Sequence, residues 1–171
     1  MNNWLDNFKR NLLEVLYRAD QPRDERGRWV STGGGASFVR DALRSGGFSY
    51  QPIGKMSPTS GCMVSLHSRF GGEYIVELPE GAAVDSEEVR EVVQAELNKY
   101  IQKHVQLFKE TPNLYAGGWV EEGKFCFDVS ENLPADDMRN VVMTAMQRDQ
   151  RGVYNVETGD YILEEDYHKF L

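Results

Sequence analysis

The chain has 171 residues, of which 40% are apolar and 27% charged, and it carries a net charge of −8. That length fits one domain, or one domain with an appendage, and the apolar fraction is too high for a disordered chain. The acidic excess repels phosphate backbones, which argues against nucleic-acid binding and for a basic protein partner.

Residues 1–19 read as an amphipathic helix. Leu5, Phe8, Leu12, Val15 and Leu16 recur at helical spacing, Trp4 and Tyr17 widen the stripe, and Asn2 or Asn3 can cap it. Asp6, Lys9, Arg10, Glu14 and Arg18 interrupt it, so it lacks the unbroken apolar centre of a signal peptide. No apolar run reaches the roughly 18–20 residues of a membrane span. The expectation is a cytoplasmic chain with no membrane partner. The stripe must be covered, either by the main domain or by a second copy in a homo-oligomer.

Residues 20–36 read as a linker, with Pro22 closing the helix and Gly33, Gly34 and Gly35 together near its end. The three glycines follow no strand and precede no Lys-Ser/Thr, so they do not make a phosphate loop. Residues 37–171 form the domain proper. A short helix is expected from Ser37 to Arg44, then an extended piece at Phe48 to Tyr50. Strands at 62–67 and 74–78 are expected to form a hairpin with one another.

Asp85 with Glu88 has the pattern of a capping box, and the apolar stripe Val89, Val92, Val93, Leu97, Tyr100, Ile101, Val105, Phe108 predicts a long helix to about Lys109. Strands at 114–120 and 125–129 flank Glu121-Glu122-Gly123-Lys124, read as a four-residue hairpin turn. A second helix is predicted over 136–150, and a last hairpin pairs 153–156 with 161–163. The fold expected is α+β: an antiparallel sheet built from hairpins, packed with one long and one shorter helix, plus the N-terminal helix on its Gly-rich linker.

Chemistry-bearing residues are few. Cys62 and Cys126 fall in predicted strands, and two cysteines alone make neither a disulfide framework nor a zinc site. They are expected reduced and buried, with no metal site and no cofactor. Asp128, Ser130 and Asn132 cluster at a predicted strand end, where rigid elements deliver polar groups into loops. Asp128 there suits a base, and Ser130 or Asn132 a hydrogen-bond donor. The alternative is capping, with Ser130 or Asn132 opening the turn into the next helix. His67 is the one histidine beside a predicted sheet, and with Ser65 or Asp128 it would make an acid–base pair. His104 and His168 lie on the long helix and near the C-terminus. Gly117, Gly118 and Trp119 sit inside a strand, where paired glycines mark a bulge or the close approach of a ligand. Pairing across the hairpin puts Asp128 opposite Gly117.

The stretch Arg23-Asp-Glu-Arg-Gly-Arg-Trp-Val-Ser-Thr-Gly-Gly-Gly35 resembles junctions of phage and prophage proteins, where such a run leads into a Gly-rich linker. Gly47-Phe-Ser-Tyr50, Pro58-Thr-Ser-Gly61, Gly117-Gly-Trp119 and Phe127-Asp-Val-Ser130 resemble phage and mobile-element domains. The resemblance implies a small accessory protein that acts by binding another macromolecule, such as a host defence component. The competing reading is a small hydrolase or nuclease-like toxin domain using Asp128, Ser130 and His67. Residues 1–55 carry nine Lys/Arg against six Asp/Glu, a net +3, and residues 56–171 carry ten against twenty-one, a net −11. The acidic body would then meet a basic partner.

Overall fold

A computed structural model describes Val39, Leu43, Arg44 and residues 47–66, 73–121 and 123–171. The predicted N-terminal helix, the linker and His67 lie outside the described residues.

Seven strands form one antiparallel sheet: β1 (Gly47–Tyr50), β2 (Cys62–Ser65), β3 (Tyr74–Glu77), β4 (Leu114–Glu121), β5 (Lys124–Leu133), β6 (Gly152–Asn155) and β7 (Tyr161–Leu163). The helices are α1 (Glu87–Glu110), α2 (Met138–Gln147) and a terminal 3-10 helix, Glu164–Phe170. The strand order is β1-β4-β5-β2-β6-β7, with β3 also on β5. The expected α+β architecture is therefore present. Among the described residues no helix is long and apolar enough to cross a membrane.

The expected hairpin of β2 with β3 does not form. Both strands pair with β5 instead, β2 through Ser65↔Ser130 and β3 through Tyr74↔Phe127. They run in the same direction along one edge of β5, and the Leu66 amide continues the β2 ladder by donating to the Val129 carbonyl at 2.8 Å. A strand of ten residues is long enough to seat two four-residue partners end to end. The β4–β5 hairpin forms in the expected register, with Gly117↔Asp128 and Val120↔Phe125. Its turn is tighter than predicted: Glu121 pairs with Lys124, leaving two residues between them. Gly123 supplies the positive φ of 78° that so short a turn requires.

Helix α1 begins one residue later than the capping-box reading. Its cap is Ser86, whose hydroxyl accepts from the Val89 amide at 3.3 Å. Helix α2 is capped by Asp137, which accepts from the Asn140 amide at 3.2 Å. The terminal 3-10 helix was not predicted. Its seven residues are too few to show periodicity, and Tyr167 anchors it by donating to the Gln150 carbonyl at 3.0 Å.

The helices share one face of the sheet. Val89, Val93, Leu97, Tyr100 and Phe108 of α1 bury against Phe125, Phe127, Val129, Leu114, Ala116 and Val76, joined by Val39 and Leu43. Val141, Val142 and Ala145 of α2 bury with Tyr167 against Cys62, Val64, Leu133 and Val153. Each Val, Leu or Phe among them contributes roughly 1.5–3 kcal/mol when taken from water. Among the described residues, the opposite face carries no helix.

Candidate functional site

Strand alternation decides which residues reach the helix-free face. Along β5 the odd residues Phe125, Phe127 and Val129 enter the core under α1, so Cys126, Asp128, Ser130 and Asn132 point the other way. Their register partners follow them: Ser49, Tyr115, Gly117 and Trp119 on one side, Ile75, Ser65 and Met63 on the other. Tyr154 and Tyr161 extend the face across β6 and β7.

At its centre is a buried carboxyl. Asp128 is 7% exposed. Its Oδ2 accepts from the Ser65 hydroxyl and, at 2.8 Å, from the Ser130 hydroxyl. The two hydroxyl oxygens are 3.2 Å apart, so three polar side chains close a triangle. Gly117 is what lets the carboxyl lie down over β4: a Cβ there would overlap Asp128 Oδ1. Burial raises the Asp128 carboxyl above its ordinary 3.8, Ser65 and Ser130 pull it back down, and Glu73 pushes it up again. Burial first and Asp128 second hold the Tyr100 phenol above the ordinary tyrosine range.

Of the residues singled out in the sequence, the structure brings together Asp128, Ser130 and Gly117, with Trp119 one step along the same face. Trp119 Nε1 donates to Glu121 Oε2 at 3.4 Å. Asn132 shares the face but is held at the β2 turn, its Nδ2 donating to the Ser60 carbonyl at 2.8 Å. Gly118 belongs to the other face. A Cβ there would lie 2.6 Å from the rings of Phe125 and Phe48, so its missing side chain serves core packing. Ser130 and Asn132 are strand residues, not the start of a turn, because β5 runs on to Leu133 against β2. His104 packs on Tyr100 at 4.6 Å and His168 sits in the terminal 3-10 helix, so both belong to the helical layer.

In the sequence Ser65 stands out only as a partner for His67, and nothing in the pattern marks Tyr161 or Ile75. Period-2 alternation through β5 would have found Ser65 once β2, rather than the turn, was set opposite Ser130.

Both cysteines are free and buried, Cys62 under α2 and Cys126 on the helix-free face. Burial leads in pushing each thiol up to about 11, which disfavours the reactive thiolate. Among the described residues no cluster of three His, Cys, Asp or Glu side chains is arranged to hold a metal ion.

No family model, no curated protein and no solved structure matches this chain.

Proposed function

We propose that this chain is a non-enzymatic binding protein, of the phage or mobile-element accessory kind, that engages a basic protein through the helix-free face of its sheet. The observation carrying the reading is the make-up of that face. Half-buried Tyr115 and Trp119, with Ile75 at 49% and Tyr161 at 37% exposure, surround a polar floor of Ser65, Ser130 and Asp128. Aromatic residues presented on rigid strands are what interfaces use as anchors. The acidic surroundings, −11 over residues 56–171, favour a basic partner.

The state of Asp128 supports binding over hydrolysis. A general base must reach a substrate proton at about 2.6–3.2 Å. Asp128 is buried, and two neighbouring hydroxyls already donate to Oδ2. It is satisfied as a structural group is satisfied.

The test is site-specific photo-crosslinking from position 75 on the helix-free face and from position 106 on the exposed side of α1, in extract of the source cells. One basic protein captured from position 75 alone, and lost in Ile75→Asp at an unchanged melting temperature, is the expected result. Equal capture from both positions refutes the face. Turnover of a nucleic-acid or ester substrate that disappears in Asp128→Asn refutes the non-enzymatic reading.

A further inference from the structure

We infer that the outer edge of β3 accepts an extended segment of the basic partner as an added strand, with an apolar residue flanked two positions away on each side by Lys or Arg. This rests on the proposed engagement of a basic protein and names how that protein is held. β3 is the most exposed strand of the sheet, with Tyr74 at 41% and Ile75 at 49% exposure. Among the described residues it pairs with β5 alone. The lane on its other side, which runs on beside β2, is taken by β6 only at Cys62 and Met63.

Backbone alternation tells which groups the edge offers. The Leu78 amide donates to the Gly123 carbonyl at 3.0 Å. Counting back by twos, Val76 and Tyr74 also turn their N–H and C=O groups toward β5, so those of Ile75 and Glu77 point outward. Outward groups of this kind are a template for another strand. The side chains then choose the occupant. Glu73, Ile75 and Glu77 fall on the helix-free side, Ile75 opposite Cys126 and Glu73 opposite Asp128 when the register is continued by one residue. Pairing with a second copy, antiparallel about Ile75, would set Glu73 of each copy against Glu77 of the other. Like charges directly opposed destabilise a sheet, so the two acids are a barrier to self-pairing. A strand that sets an apolar side chain against Ile75 and bases against Glu73 and Glu77 turns that repulsion into attraction. Glu77 lies 3.2 Å from Lys124 and keeps 74% of its side chain exposed, open to a second cation.

The probe is the peptide Lys-Thr-Val-Thr-Lys with blocked ends, added to the full chain at low salt. It should bind and slow amide hydrogen exchange at Ile75 and Glu77, while Val76, already bonded to β5, stays as it was. Ile75→Pro removes an outward N–H without touching the β5 ladder, and should weaken binding about tenfold or more. Methylating the peptide's valine nitrogen, whose N–H would meet the Ile75 carbonyl, should do the same to the unaltered chain. That arm reads the same bonds should Ile75→Pro fail to fold. A peptide with glutamate in place of lysine should not bind. No binding, binding indifferent to methylation, or equal binding of the glutamate peptide overturns the inference. So does a dimer that Ile75→Pro converts to a monomer, which makes a second copy the occupant. Photo-crosslinking from position 75 separates the two claims. Continued capture of a basic protein leaves the proposed function standing without strand addition, and loss of capture removes both.

Discussion

Asp128 is the residue on which the two readings of this chain divide, and its chemistry follows from where β5 puts it. A carboxyl on the inner part of a sheet loses water, which raises its pKa, and two serine hydroxyls return only part of what is lost. The sign of the pH effect follows. A carboxyl whose pKa is higher in the folded state binds more protons folded than unfolded. Its contribution to stability is therefore present at low pH and lost as pH rises from 3.8 through the folded value. Asp128→Asn removes that titration while keeping the shape and an acceptor for the hydroxyls. Denaturant midpoints measured from acid to neutral pH should fall less steeply for Asp128→Asn than for the parent, with the variant at least as stable at neutral pH. A steeper fall in the variant would mean that Asp128 is ionised and stabilising in the fold.

At the scale of elements, the β4–β5 hairpin shows what pattern can and cannot reveal. Its register was legible because a Gly-containing turn between two apolar runs fixes the pairing, and Gly117↔Asp128 follows by counting. The division of β5 between β2 and β3 was not legible: both short runs look like hairpin strands, and only the length of β5, four residues beyond its last apolar-looking stretch, seats them end to end. The capping interpretation of Ser130 failed for the same reason, since a polar run on the helix-free side of a strand looks like a loop. Gly117 ties the hairpin to the polar triangle. Gly117→Ala sets a methyl on Asp128 Oδ1, and the carboxyl cannot swing away without giving up Ser65 and Ser130. The expected cost is about 1–3 kcal/mol in urea unfolding, as for other overpacked sites. The cost should shrink in an Asp128→Ala background, because the two sites touch. Equal costs in both backgrounds would show that the glycine is needed for its backbone alone.

At the scale of the whole molecule, the charge layout and the sheet point the same way. Affinity for DNA or RNA comes mainly from Lys and Arg neutralising phosphates, and each such contact leaves a signature in salt dependence. Residues 56–171 hold twenty-one acids against ten bases, and the helix-free face places Glu121 beside Trp119 and Glu77, paired with Lys124, beyond Ile75. The aromatics alone do not decide the partner, since exposed rings also stack nucleobases. The acids weigh against phosphates: a strand of them laid over this face would meet like charge at Glu121 on its rim and across the acidic body, whereas lysines and arginines of a protein would be attracted there. The full chain should therefore give no mobility shift with single- or double-stranded DNA or RNA at physiological salt. It should retain a polybasic protein such as a histone at low salt and release it as salt rises, with Glu121→Lys weakening retention and Gln106→Ala leaving it intact. A mobility shift that survives physiological salt, weakened by Trp119→Ala, would make the face a nucleobase-stacking surface and reverse the assignment of its partner.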